Sequence, residues 1–239
     1  MKEENKMMRK WFGEWDLFEK SWLAVFTAIN LYLFFAWDDT LLGLVSSLTG
    51  MMCVILVAKG KMSNYLFGII QTSTYAYIAF GYGLYGEAML NAFFYFPTQF
   101  IGLYMWNRNK HKLKTPEQGE DVAVKRLDKT QWIILSMVVV AFIGVYGIFL
   151  NALSGNNVWI DSTTNVLSVT AQILMLKRYA EQWALWILVN IFSIILWATA
   201  LIQSGGNDIS MLVMWTAFLV NSIYGYINWI KMSKKQEVK

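Results

Sequence analysis

The sequence predicts an all-α polytopic membrane protein with eight transmembrane helices, on three observations. Apolar runs of about 17–25 residues recur along the chain, the length a helix needs to cross a hydrocarbon layer ~30 Å thick. Only 15% of the 239 residues are charged while 56% are hydrophobic, and a soluble domain would carry nearer a quarter charged. All 20 Lys and Arg fall in alternate connections between the runs.

The chain opens with MKEENKMMRKWFGEWDLFEKSW, which lacks an apolar signal core ending in small residues and does not read as a cleaved signal peptide. Trp11, Phe12, Trp15, Leu17 and Phe18 among charges predict a short interfacial helix. The spans then fall at 21–37, 41–58, 63–80, 88–106, 132–153, 159–176, 183–202 and 209–230. The first is the shortest, and can cross upright with Trp22 and Trp37 as anchors. Cys53, the only cysteine, lies inside the second run, so an intrachain disulfide is excluded and the thiol reads as packing. Trp22, Trp37, Trp106, Trp132, Trp159 and Trp229 sit at span ends and are expected in interfacial belts.

Charge tests this count. With the N-terminus on one side, that side receives the N-terminal arm, 59–61, 107–131, 177–182 and the C-terminal tail, which together hold every Lys and Arg. The other side receives Asp38, Asp39, Glu87, Asp161 and Asp208. Both termini are therefore expected in the cytoplasm, and the net charge of +4 reflects topology rather than nucleic-acid binding. The connection 107–131 reads as a solvated linker able to meet anionic headgroups. It holds the only histidine, His111, with no second His or Cys beside it, so neither a metal site nor a Cys/His nucleophile is expected.

The linker separates two similar halves. A shift of 118 aligns Ile55-Leu56 with Ile173-Leu174, Lys59 with Lys177, Tyr65 with Trp183 and Ile69 with Ile187. A shift of 123 aligns Gly102-x-x-x-Trp106 with Gly225-x-x-x-Trp229. Three spans per half, with one span between them, make the repeats parallel, with a substrate site expected between them near the midplane. The divisions are 1–40 for the N-terminal segment and extra helix, 41–106 for the first repeat, 107–158 for loop and linker helix, 159–231 for the second repeat, and 232–239 for a cytoplasmic tail.

Polar residues inside the spans locate the site. Trp183, Trp186, Asn190, Ser193 and Trp197 form one stripe of the seventh span, a poor surface for lipid. Gln71, Thr74, Tyr75 and Tyr77 lie in the third span, and Asn91, Tyr95, Thr98 and Gln99 in the fourth. Asn165, Ser168 and Gln172 share a face of the sixth, as do Asn221, Tyr224 and Asn228 of the eighth, with Trp215 before them. Each amide can be interhelical glue or part of a shared site, because an unpaired amide in hydrocarbon costs several kcal/mol. Trp183 can belong to the belt or to the cavity; Trp186, a turn deeper, is placed in the cavity. No ionisable residue lies within a span interior, which argues against proton coupling, while a sodium site built of carbonyls and amides stays open. Such a site suits a flat polar ligand whose charge is a delocalised cation against indole faces.

Trp183-x-x-Trp186-x-x-x-Asn190, then Ser193-Ile194, then Asn221-x-x-Tyr224-Gly225-x-x-x-Trp229 resembles the PnuC family of bacterial vitamin transporters over about residues 41–230. The resemblance implies facilitated diffusion of nicotinamide riboside across the inner membrane, with trapping by a cytoplasmic kinase for NAD synthesis. It also implies a three-one-three fold similar to the SWEET sugar transporters, and a homo-oligomer, a trimer. Trp-x-x-Trp favours nicotinamide riboside over the thiamine or riboflavin carried by relatives. The expected substrate contacts are Trp183, Trp186, Asn190, Ser193, Gln71, Tyr75, Asn91, Tyr95, Gln99, Asn221 and Tyr224, with no cofactor, metal or catalytic residue. A sugar facilitator is a rival reading. An intramembrane enzyme would need a nucleophile, paired carboxylates or a metal cluster at membrane depth, and none is visible.

Overall fold

A computed structural model of the chain describes residues 15–36, 40–81, 88–110, 122–152, 158–204 and 209–237. In these, eight α-helices follow in order: α1 Leu17–Ala36, α2 Leu41–Ala58, α3 Asn64–Gly81, α4 Phe96–Lys110, α5 Lys129–Ala152, α6 Val158–Leu176, α7 Gln182–Ser204 and α8 Ile209–Glu237. A π-helical turn, Leu90–Tyr95, leads into α4. Local polar signatures set several starts. Asp16 and Glu19 exchange side chain–backbone bonds of 2.9 and 2.7 Å at α1, and Asp128 and Gln131 do so at 3.2 and 2.8 Å at α5. Both are reciprocal capping boxes that satisfy otherwise orphaned N–H groups. Thr40 Oγ1 accepts from Gly43 N at 2.9 Å before α2.

α1 starts four residues before the expected span. Its 20 residues reach about 30 Å at 1.5 Å per residue, long enough to cross. Of the expected interfacial segment, residues 1–14 lie outside the described residues. Trp15 is not interfacial: it is buried with Phe26, Met51 and Ile55, and the Lys59 ammonium sits 5.2 Å from its ring centroid.

Helices α2, α3 and α4 pack in succession, as do α6, α7 and α8. The two triplets meet where α2 touches α8 and where α4 touches α6, contacts that exchange under an approximate twofold relation. α1 lies on α2 as α5 lies on α6, so the extra N-terminal helix and the linker helix hold corresponding places. α5 buries only Val139 and Gly147, and leaves Ile133, Met137, Val140, Phe142, Val145 and Phe149 exposed. An apolar surface this continuous belongs against lipid or protein. α2 and α5 are long and apolar enough to cross a membrane on length and composition alone.

The repeat offsets hold at atomic detail. Lys59 N, Gly60 N and Lys61 N donate to Ile55, Val57 and Leu56 carbonyls at 3.0, 2.9 and 2.9 Å. At the positions 118 residues on, Lys177 N, Arg178 N and Tyr179 N donate to Ile173, Met175 and Leu174 carbonyls at 3.1, 2.9 and 2.9 Å. Gly60 (φ 65°) and Arg178 (φ 67°) both adopt the left-handed conformation that closes a helix end. Trp106 Nε1 donates to Met175 O at 3.2 Å, and Trp229 Nε1 donates to Val57 O at 2.8 Å. These carbonyls belong to the last turns of α6 and α2, where backbone acceptors run short of helical partners. Trp106 and Trp229 are therefore fully buried interhelical pins, not members of an interfacial belt.

Two further expectations change. The connection after α4 is only partly a solvated linker, because residues 122–128 dock as a strap. Val122 is fully buried, Lys125 N donates to Arg178 O at 2.8 Å, and Ala180 N donates to Lys125 O at 3.0 Å. Arg126 pairs with Glu181 at 2.8 Å. The expected tail instead prolongs α8 to Glu237, and Gln236 exchanges bonds with Val124 N (2.8 Å) and Val122 O (3.1 Å).

Candidate substrate site

The stripe on α7 divides in two. Trp183 is 2% exposed, with its ring filling the space beside Gly225, where a Cβ would come within 2.6 Å of it. It meets Trp229 edge-on at 6.2 Å. In the first repeat Tyr65 does the same against Gly102 and Trp106, at 2.3 and 5.1 Å. Trp183 thus belongs to the paired frame of the repeats. Its Nε1 is buried with no hydrogen-bond partner among the described residues. Trp186, a turn further on, is half-buried and packs against the clusters around Trp229 and around Leu167 and Val189.

Past Trp186 the polar groups of several helices meet. Asn190, 3% exposed, donates through Nδ2 to Ser222 Oγ of α8 at 2.9 Å. Asn221, beside Ser222, donates to Val54 O of α2 at 3.1 Å, and its Oδ1 is buried without a partner among the described residues. Gln71 of α3 reaches across Gly50 of α2 toward Phe218 of α8: a Cβ on Gly50 would lie 3.1 Å from Gln71 Cγ and 3.7 Å from Phe218 Cζ. Ser193 is buried one turn beyond Asn190. On the other side of the bundle, Gln172 Nε2 of α6 donates to Thr98 Oγ1 of α4 at 3.0 Å. By the two offsets Gln172 and Thr98 correspond to Val54 and Asn221, so the bonds joining the repeats are themselves a symmetric pair.

The turn Leu90–Tyr95 holds Asn91 and Tyr95, and Gln99 follows on α4. Phe96 N donates to Asn91 O, a bond spanning five residues. Pro97 supplies the reason: it has no N–H, and its ring would crowd the carbonyl four residues back, so the preceding turn widens. Asn91 is buried and Tyr95 half-buried; Tyr95 O accepts from Gln99 Nε2 at 3.0 Å. Gln99 Oε1, buried and without a partner among the described residues, lies 2.2 Å from where a Cβ on Gly68 would be. Buried amide oxygens left open in this way, on Gln99 and Asn221, are capacity for a ligand's donors.

Tyr224 is engaged elsewhere. Tyr224 OH donates to Glu19 Oε1 at 2.7 Å and lies 3.3 Å from Asp16 Oδ2, so it ties α8 to the start of α1. Tyr75 is half-buried on α3, a turn beyond Gln71. The side chain of Trp197 lies outside the described residues. Sequence reasoning passed over Ser222, Gly50 and Phe218. Ser222 follows Asn221 directly and was legible as a small hydroxyl on the same helix; Gly50 and Phe218 show their role only through contact.

With this geometry in place, a family model described as nicotinamide mononucleotide transporter matches residues 40–231. The chain belongs to that family. A nicotinamide riboside transporter PnuC from Neisseria mucosa is 43% identical over 240 residues, covering 98% of this chain and 91% of its own length. The PnuC of Haemophilus influenzae is 37% identical over 230 residues, covering 96% and 97%. A crystal structure of the vitamin B3 transporter PnuC shares 43% identity with a TM-score of 0.83, over 96% of this chain and 97% of that one. The resemblance read from Trp183-x-x-Trp186-x-x-x-Asn190 and Asn221-x-x-Tyr224-Gly225 is borne out at the level of the family. So is the all-α polytopic fold. The candidate residues that the described structure buries around α7 are indoles, amides and hydroxyls.

Proposed function

We propose that this protein carries nicotinamide riboside across the bacterial inner membrane by facilitated diffusion, without chemistry on its cargo. The family model is described by the mononucleotide and the relatives by the riboside, and the site favours the second. The observation that carries this reading is the absence of Lys or Arg from the candidate set Gln71, Tyr75, Asn91, Tyr95, Gln99, Trp186, Asn190, Ser193 and Asn221. A phosphomonoester brings nearly two negative charges and needs charge-assisted donors, Arg above all. The riboside brings one delocalised cation, a carboxamide and hydroxyls, which indole faces and amides suit.

In this reading Trp186 stacks on the nicotinamide ring, while Asn190, Gln71, Gln99 and Asn221 bond its carboxamide or ribose. Trp183 supports Trp186 from the frame. Both termini face the cytoplasm, where all the Lys and Arg gather. Net uptake rests on a cytoplasmic kinase that holds the free nucleoside low, and the protein assembles as a trimer through its apolar outer faces.

The test is uptake of labelled nicotinamide riboside into proteoliposomes, with the mononucleotide, thiamine, riboflavin and sugars as competitors. Unlabelled riboside should compete and the mononucleotide should not. An imposed pH step should leave the final internal concentration unchanged, since the candidate set holds no carboxylate, Lys or His to carry a proton. Efficient competition by the mononucleotide, or accumulation driven by protons, would overturn the corresponding half of the reading.

A further inference from the structure

The closing turns of α2 and α6 share a backbone but not their surroundings. Beside Gly60 the space is filled: a Cβ there would come within 2.5 Å of Val122 Cγ1 and 2.7 Å of Met232 Cε. At the corresponding turn the residue is Arg178, and the 123-residue offset puts Asn109 in the place of Met232. There a cavity of about 320 Å³ is lined by Arg108, Lys125, Lys177 and Arg178, together with Tyr104 and Asn109. Among the described residues, four cations and no carboxylate line it.

Arg178 gives the pocket its direction. It is 6% exposed, and its Nε has no hydrogen-bond partner among the described residues. Burial lowers its pKa from the ordinary value. The acid three positions along, Glu181, is paired with Arg126. A guanidinium N–H buried without an acceptor is costly, and each cation beside it raises that cost unless an anion enters. The surroundings are fixed in advance: the backbone bridge between Lys125 and Tyr179 holds the strap against the turn, with the Lys125 ammonium 5.7 Å from the Tyr179 ring centroid.

We propose that this pocket binds a phosphate group, borne either by an anionic lipid headgroup or by a soluble phosphomonoester. Phosphate oxygens match the planar guanidinium fork of Arg178 and the point charges of Lys125 and Lys177. The pocket sits at the Lys110 end of α4, a helix expected to cross the membrane, so a headgroup can reach it from the bilayer and a soluble anion from the water. It is separate from the uncharged site on α7, and its binding does not depend on what that site carries.

Thermal unfolding of the full-length protein tests this in two arms. In neutral detergent, inorganic phosphate and adenosine monophosphate are titrated against chloride at matched ionic strength. In nanodiscs, phosphatidylcholine is compared with phosphatidylcholine containing phosphatidylglycerol. Arg178→Gly suits the left-handed backbone and should fold, while Arg108→Gln removes a rim cation without touching the turn. The wild type should be stabilised in at least one arm, and each variant should need at least tenfold more of the same probe. A response confined to the first arm assigns a soluble phosphomonoester; one confined to the second assigns a lipid. A wild type that responds no more to phosphate than to chloride and no more to phosphatidylglycerol than to phosphatidylcholine would overturn the proposal. So would an Arg178→Gly response equal to that of the wild type.

Discussion

The two repeats agree at one end of their helices and disagree in the middle. At the turns, Trp106 and Trp229 make corresponding long-range hydrogen bonds, and Tyr65 and Trp183 press on corresponding glycines, Gly102 and Gly225. Deeper in, Gly68 and Thr72 of α3 stand where α7 has Trp186 and Asn190, and Gln99 of α4 stands where α8 has Ser222. Large and small have changed sides. In the first repeat Gln99 fills the space over Gly68; in the second the indole occupies α7, and the small hydroxyl of Ser222 on α8 accepts from Asn190. The shared ends fix how the helices approach, and the divergent middles are free to shape an asymmetric site for an asymmetric ligand.

The largest test of that contrast is to remove the pins. Trp106→Ala and Trp229→Ala should each destabilise the protein by about 3–5 kcal/mol, the usual loss for a buried Trp, and by similar amounts. Paired melting curves in one detergent check this, and a large difference between the two would break the symmetry. Gly102→Ala and Gly225→Ala should each cost about 1–3 kcal/mol, because the added methyl meets a rigid ring. Gly68→Ala should cost less than either in the same assay, since the atom it meets ends a flexible Gln99 side chain.

The middle of α7 should respond in affinity. Trp186→Ala should weaken nicotinamide riboside binding roughly tenfold to a hundredfold, and Trp186→Phe should recover part of that loss. Calorimetric titration beside a melting curve separates the two roles: intact affinity with a lowered midpoint would make Trp186 structural glue. The smallest expected effect is at the turn itself. Arg178→Gly should raise stability in phosphate-free detergent by about 1 kcal/mol or less, since glycine adopts a positive φ without the side-chain strain. A destabilised variant would mean that contacts of the Arg178 stem outweigh the strain.

The sequence by itself determined the helices, their order, the segregation of basic residues and both repeat offsets. Hydrophobic runs and charge report how each segment partitions between lipid and water, and those are properties a segment has on its own. The polar stripe Trp186, Asn190 and Ser193 was legible for the same reason. Only the tertiary structure decided which tryptophans are pins. Trp106 and Trp229 sit at span ends, as belt residues do, but a carbonyl from a helix distant in sequence takes their N–H groups. It also decided that Tyr224 faces the carboxylates of Asp16 and Glu19 at the start of α1, that Trp183 lies over Gly225, and that residues 122–128 dock beside a buried Arg178. Each of these depends on how closely two helices approach, and that distance is set by packing between segments far apart in the chain.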